Sequence, residues 1–366
     1  MKIAILSFYS GINERGVERW VQEVADGLSK ENSVEVFQNR RLKNKKDYNQ
    51  IVFNVEYDSS KGDNLHRFKK FFLDYQSLKV LQFTLKIIPR LALRKYDIVI
   101  PTDGGWEPAI VRILTWIKRF KMVIVGHAGI GWDDANNLWC LPDVFVALSE
   151  KALKWAEKIN PFVKCIYIPD GVDINKFTPH GLKFKTKLSP PIVLAVGALS
   201  KEKGIDRIIR AVSKIPEASL IVCGKGPQRT NLEIEGNRLL GNRFELISAS
   251  LEDMPRIYRS ADLFVSASTS GMAFEMVILE AMSSGLPVIV NDDPIRRGIA
   301  GNVGIYTDAG RVEELQRAIR KAIGANAKFL SRNQAEKFSW TGVVASYQKT
   351  FEKLLGSSKD ITANAI

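Results

Sequence analysis

Short apolar runs and helix-spaced apolar positions alternate along nearly the whole chain. The first run, residues 2–8, is KIAILSF. After it, Val17, Trp20, Val21, Val24, Ala25 and Leu28 fall at helical spacing and make one apolar face. The same unit of buried strand, glycine turn and amphipathic helix recurs from residue 191 in PIVLAVGALSKEKGIDRIIRAVSKI. Each unit is followed by a second β-rich run, VEVF (34–37) and ASLIVCGKGP (218–227), and further strands are predicted at 96–101, 122–127 and 143–149, and again at 244–248, 262–268 and 287–292. Strands alternating with helices predict an α/β fold of parallel sheets covered by helices. The stretch FSWTGVVASYQKTFEKLL, about 338–355, reads as one more amphipathic helix, with a frayed end after it.

A length of 366 residues suits two domains rather than one. The predicted division is 1–178, an exposed linker at 179–190 marked by proline, glycine and lysine, and 191–337. Three scattered cysteines, Cys140, Cys165 and Cys223, form no CxxC pair, which argues for free thiols in a reducing cytoplasm. No apolar run reaches the roughly 18 residues of a membrane span. The opening residues read as a strand, not a signal peptide, because Gly11, Asn13 and Glu14 follow at once.

The formal charge is +13, with +6 in residues 1–170 and +7 in the remainder. Such a balance favours anionic partners: nucleotide phosphates, lipid phosphates or an anionic membrane face. No nucleic-acid motif is visible, and nucleic acid is not an expected partner. Two stretches, LKVLQFTLKIIPRLALRK (78–95) and VRILTWIKRFK (111–121), mix apolar and basic residues. Each reads either as an amphipathic helix lying on a membrane surface or as a core-facing helix with a solvated basic side. Pro89 is expected to interrupt the first of them.

The chemistry concentrates in SGMAFEMVILEAMSSGLPVIV, residues 270–290. Ser270 and Gly271 make a small turn that lets the backbone approach a ligand. The helix after it presents free N–H groups suited to phosphate. Glu275 and Glu280 on one continuous helix would point about 140° apart. They face one ligand only if Glu275 lies in or before the first turn. Lys203, in a glycine turn after a strand, can reach a diphosphate oxygen. His127 ends the strand MVIV, where an imidazole can bond a sugar hydroxyl or modulate charge near a leaving group. Gly16 opens a helix, with Arg15 before it. Gly224-Lys225-Gly226-Pro227 follows another strand and is not a GxGxxG fingerprint, which argues against a dinucleotide. Asp292-Asp293 lacks D-x-D spacing and suits a turn better than a metal.

Together RGVERWVQEVADGLS (15–29), VGHAG (125–129), IPDGVDINKFTP (168–179), VGALSKEKGID (196–206), VCGKGP (222–227), YRSADLFVSAS (258–268) and the 270–290 stretch resemble the retaining glycosyltransferases of family 4. The resemblance implies the GT-B fold, two Rossmann-like domains with parallel sheets facing a central cleft. The acceptor would bind the first domain and the nucleotide-sugar donor the second, with the 338–355 helix packing back on the first. It implies a metal-independent, hexosyltransferase-type enzyme that retains configuration, with no resident cofactor, acting in cell-envelope glycan, glycolipid or lipid-linked oligosaccharide synthesis. The expected place is the cytoplasm, with peripheral contact to an anionic membrane face. His127, Lys203 and Glu275 take catalytic places. Gly16, Gly197, Gly224, Gly226, Gly271, Met272, Ala273, Phe274 and Glu280 take donor-binding ones. Lys203 would neutralise the leaving diphosphate, Glu280 would hold the ribose, and Glu275 a sugar hydroxyl. The chain departs from the pattern at Ala198, usually arginine, for which Arg296 or Arg297 could substitute, and at Met272, usually the first carboxylate. A non-catalytic carbohydrate-binding or assembly protein, or a nucleotide-sugar epimerase of the same fold, are the alternatives.

Overall fold

In the computed structural model of the chain, residues 1–13, 15–42, 44, 46–58, 71–269, 273–323 and 330–356 are described. They form two compact bodies, one from the described residues of 1–169 with the returning 340–356, the other from those of 170–339.

The first body runs β1 (Lys2–Ser7), α1 (Gly16–Ser29), β2 (Ser33–Gln38), β3 (Asn49–Val52), α2 (Tyr75–Leu93), β4 (Ile98–Pro101), α3 (Trp106–Lys118), β5 (Lys121–Val125), α4 (Trp132–Trp139), β6 (Val144–Ala147), α5 (Glu150–Ile159) and β7 (Cys165–Tyr167). Its seven strands are parallel, in the order β3-β2-β1-β4-β5-β6-β7. Ile3, Ala4, Ile5 and Leu6 are fully buried, because a central parallel strand is covered on both faces. Ala4 and Leu6 share one core with Phe83 of α2, Val111 of α3, Leu138 of α4 and Ala152 of α5.

Helix α2 runs through Pro89 without a break, contrary to the expected interruption. A helical proline loses the bond to the carbonyl four residues back. That loss falls near the end of α2, where Ile87 and Leu91 are fully buried on either side of Pro89. At the other end Asp74 caps the helix, accepting from the Gln76 and Ser77 amides at 3.1 and 3.2 Å.

The second body runs β8 (Ile192–Val196), α6 (Ile205–Ser213), β9 (Ser219–Cys223), α7 (Arg229–Leu240), β10 (Phe244–Ile247), α8 (Met254–Ser260), β11 (Leu263–Val265), α9 (Met276–Ser283), β12 (Val288–Asn291), α10 (Pro294–Ala300), β13 (Ile305–Thr307), α11 (Val312–Ile323) and α12 (Leu330–Glu336). Its six strands are parallel, in the order β10-β9-β8-β11-β12-β13. Alternation along the strands fills two cores. Leu194 and Ile221 enter one; Val193, Ala195, Leu220 and Val222 enter the other.

The last helix, α13 (Trp340–Leu354), belongs to the first body and packs on α1. The Trp20 indole donates to the Tyr347 hydroxyl at 3.2 Å. Gly27 has no room for a side chain, since a Cβ there would lie 2.6 Å from the Val344 Cγ2.

The division between the bodies falls at Pro169–Asp170, ahead of the expected 178. The Val172 amide donates to the Phe338 carbonyl at 2.8 Å, and Phe177 is fully buried in the second core. Residues 179–190 are also tied to that body rather than forming a free connector. The Phe184 amide donates to the Arg256 carbonyl at 3.0 Å, and the Thr186 hydroxyl to Glu245 at 2.9 Å.

Candidate active site

In the second sheet the strand order reverses direction between β8 and β11, the switch point where α/β folds bind ligands beyond the carboxyl ends of the strands. Three loops from adjacent strands meet there. The loop after β8 carries Lys203, in a short turn Lys201–Lys203 closed by Gly204 at φ +62. That after β11 carries Ser266 and Glu275, and that after β12 carries Arg296 on α10.

Glu275 is the N-cap residue of α9, just before its first turn, and it is 4% exposed. Lys203 Nζ donates to its Oε1 at 2.6 Å. Its Oε2 lies 3.1 Å from an Arg296 Nη and accepts from the Ser266 hydroxyl at 2.9 Å. Burial pushes the Glu275 pKa up, but Lys203 and Arg296 outweigh it and hold the carboxyl below its ordinary value. Glu275 is therefore an anion with both oxygens engaged, where the sequence predicted a sugar-binding carboxylate.

Arg296 is 1% exposed and pairs through its other terminal nitrogen with Asp293 at 2.6 Å, while its Nε has no partner among the described residues. Arg297 is held bidentately by Asp292 at 2.5 and 2.9 Å. Arg297 is exposed but paired with Asp292, and Arg296 is buried, where it adds a positive charge behind Glu275. Asp293 caps α10, accepting from the Ile295 and Arg296 amides at 3.0 and 3.1 Å, so both aspartates serve the loop. A third of the Lys203 side chain stays exposed beyond the ion pair. An ammonium has three donors, and Glu275 takes one.

Glu280 lies inside α9, 5% exposed, and accepts from the Tyr258 hydroxyl at 2.7 Å. The loops after β8 and β9 are stacked backbone on backbone. The Leu199 amide donates to the Lys225 carbonyl at 2.9 Å, and a Cβ at Gly224 would meet the Gly197 carbonyl oxygen at 2.0 Å. A Cβ at Gly226 would likewise lie 2.6 Å from the Leu199 carbonyl oxygen. Gly224 and Gly226 are dictated by packing. Ala273 is half-buried, and the half-buried Phe274 packs against the core, its ring 6.4 Å from that of Phe338. Gly271 and Met272, both expected at the donor site, lie outside the described residues.

The first body has its own switch point, between β1 and β4. Across it the Phe8 amide donates to Asp103 Oδ2 at 2.6 Å, and the Asp103 amide to Glu107. Burial, helped by Glu18, pushes Asp103 up to about 7. The sequence reading passed over Asp103, although an aspartate directly after a strand and before Gly104-Gly105 is a signal for this position. Gly16 is exposed at the start of α1. Arg15 caps that helix, donating its amide to Glu18 at 2.8 Å, and its guanidinium lies 5.1 Å from the Tyr9 ring centre.

His127 follows β5, its ring 5.0 Å from that of Trp20 in an edge-on contact. Its Nε2 is buried with no partner among the described residues. Burial pushes its pKa down to about 3, so the ring is neutral at physiological pH. A neutral imidazole can bond a hydroxyl through that nitrogen.

These buried groups predict a pH dependence. Burial raises Asp103 and Asp134 to about 7 and Glu107 well above its ordinary value. Between about pH 4 and 7 these carboxyls hold protons in the folded chain that the unfolded chain has shed, so their contribution falls as pH rises. His127 acts oppositely, losing its contribution below about pH 6.5, where an unfolded imidazole protonates. Three carboxyls outweigh one imidazole, and the melting temperature should rise from pH 8 to pH 5. Asp134→Asn keeps the bond from Asn137, 3.0 Å in the parent, and should flatten that slope. Identical slopes for parent and variant in calorimetry would refute the assignment.

A family model described as glycosyl transferases group 1 matches residues 182–338. A glycosyltransferase of Methanocaldococcus jannaschii is 33% identical over 271 residues, 64% of this chain and 68% of that protein. The sulfoquinovosyl transferase of Arabidopsis thaliana is 30% identical over 193 residues, 46% of this chain and 36% of that protein. Among solved structures, HepE of Anabaena in complex with UDP and glucose superposes with a TM-score of 0.76 at 19% identity, covering 96% of this chain and 99% of that one. The chain belongs to the glycosyltransferases, and its two parallel-sheet bodies are the GT-B architecture. Its matches span between 24% and 58% of the length of the first curated relatives.

Proposed function

We propose that the chain transfers a sugar from a nucleoside-diphosphate sugar to a hydroxyl acceptor, with retention of configuration and without a metal or resident cofactor. The observation that carries this is the ion-paired set Lys203, Glu275 and Arg296 at the switch point of the second sheet. Glu275 and Asp293 balance the charges of Lys203 and Arg296, so what this point offers an anion is the partly exposed Lys203 ammonium beside the start of α9. This suits a diphosphate whose charge grows as the sugar bond breaks. Glu275, held anionic with both oxygens bonded, is a poor nucleophile. That favours a front-face route in which the leaving diphosphate helps to deprotonate the acceptor.

In this reading Glu275 positions Lys203 rather than touching the sugar. Glu280 takes the ribose hydroxyls, with Tyr258 fixing its second oxygen. A sugar hydroxyl would satisfy the buried Nε2 of His127. HepE was solved with UDP and glucose, which supports a nucleotide-sugar donor. The acceptor is proposed to be a glycan or a lipid-linked glycan of the cell envelope, reached from an anionic membrane face, for which the positive charge of the chain is the support.

The absent charges at Ala198 and Met272 favour a second reading, a carbohydrate-binding protein that kept the fold. A thermal-shift screen of nucleotide sugars finds the donor, because a bound ligand stabilises the fold. Release of free nucleoside diphosphate on adding acceptors then separates the readings: none with any acceptor supports the second. Glu280→Gln should weaken nucleoside-diphosphate binding by on the order of 1.5–3 kcal/mol. Unchanged affinity in calorimetry would remove Glu280 from the site.

A further inference from the structure

Helices α2 and α3 pack side by side over one core of the first sheet, and each is apolar on two sides. On α2, Phe83, Ile87 and Leu91 enter that core, while Leu78 and Leu85, two turns apart, stand 43% and 58% exposed. On α3, Val111 and Thr115 are buried, while Ile113, Trp116 and Ile117, at one-turn spacing, stand 58%, 57% and 72% exposed. A surface helix ordinarily shows solvent a polar face, and soluble proteins seldom expose apolar surface of this kind without a use for it.

The charges on the two helices are of one sign. Lys79, Lys86 and Arg90 lie on α2 and Lys118 on α3, and the one acid, Glu107, is fully buried; Arg112 of α3 is paired with Asp143 at 2.6 Å, its side chain 12% exposed. Exposed Lys95 and Arg119 follow the two helices. Arg112 also lies 5.0 Å from the Trp116 ring centre. Exposed aliphatic side chains and a tryptophan, surrounded by cations with no exposed acid, match the boundary between acyl chains and anionic headgroups. A second copy of the same face would set cation against cation. No described helix is long and apolar enough to cross a membrane, so the contact is peripheral.

We infer that the α2–α3 face docks the protein on an anionic phospholipid bilayer, with Leu85, Ile113, Trp116 and Ile117 in the interfacial layer and the lysines and arginines at the headgroup phosphates. This deepens the proposed function by naming the surface from which a lipid-linked acceptor would be reached, and it rests on that reading only for the identity of the acceptor.

The test is flotation of the full chain with vesicles of phosphatidylcholine alone or mixed with phosphatidylglycerol, at low and high salt. The protein should float with the anionic vesicles and be released by salt. Ile113→Ser with Ile117→Ser should lower partitioning by about tenfold or more. Lys79→Gln and Lys118→Gln should lower it by about fivefold each. Melting temperature and nucleoside-diphosphate affinity, measured on the same samples, should not change. No flotation, equal flotation with neutral and anionic vesicles, or flotation unaltered in every variant would overturn the inference. So would a lipid-free dimer in sedimentation velocity that the isoleucine variant abolishes. Loss of nucleotide binding in the parent with flotation intact would instead count against the transferase reading alone.

Discussion

Lys203→Ala should turn over at least about a hundredfold more slowly than the parent, and because Glu275 keeps Arg296 and Ser266 the variant should still fold, with reduced stability. Removal of one donor aimed at developing charge lowers kcat by about 10² to 10³ in comparable sites. Charge builds on the diphosphate as the sugar bond breaks, so the contact strengthens toward the transition state and the loss falls on kcat more than on KM. With alanine at 198 and Arg296 buried, Lys203 is the exposed cation of the cluster and bears the larger share of that task. Chelator should leave the parent active. Steady-state kinetics of both proteins with the donor from the thermal screen decides it. A near-normal kcat in the variant, or a parent silenced by chelator, contradicts the mechanism.

Glu275→Ala should instead damage folding. Arg296 would keep Asp293 but lose the carboxylate on its other terminal nitrogen, deep in a 1% exposed position. Breaking a buried pair by removing one partner costs about 3–5 kcal/mol, because the remaining charge cannot regain water. Lys203 would also lose its anchor. Glu275→Ala with Arg296→Met removes the stranded charge and should recover much of the stability but not the activity. Denaturant unfolding of the three proteins checks this, and a stable, fully active Glu275→Ala would show that the cluster is dispensable. The carboxyl sits below its ordinary pKa, so its contribution is present above the unfolded value of about 4.3 and lost as pH falls through the folded one.

Most of the fold was legible because parallel strands buried on both faces write themselves as near-continuous apolar runs. The strands that were not predicted, β3, β7 and β13, are edge strands of three or four residues, half-exposed along part of their length, and their sequences lack that signature. The helix through Pro89 was missed because burial of Ile87 and Leu91 outweighs one lost backbone bond, and burial is not a local property. In the candidate site, Lys203, Glu275 and Glu280 could be named from their turns and helix starts. Their pairing could not. Lys203 and Glu275 are 72 positions apart, and nothing local says that an arginine on α10 is buried behind them. The place of Asp103 had a local signal, but the altered protonation of Asp103 and Glu107 did not, because it comes from burial contributed by distant segments.

The parallel bridge between Val172 and Ser339 has a topological consequence. The chain enters the second body and leaves it through neighbouring residues, so Asp170–Ser339 is an insertion within the first body rather than a tandem repeat beside it. Such a body can be gained, lost or exchanged as one contiguous cassette whose two ends already meet. The first body, by contrast, is completed only when α13 has been synthesised, so the half that begins the chain is the last to close.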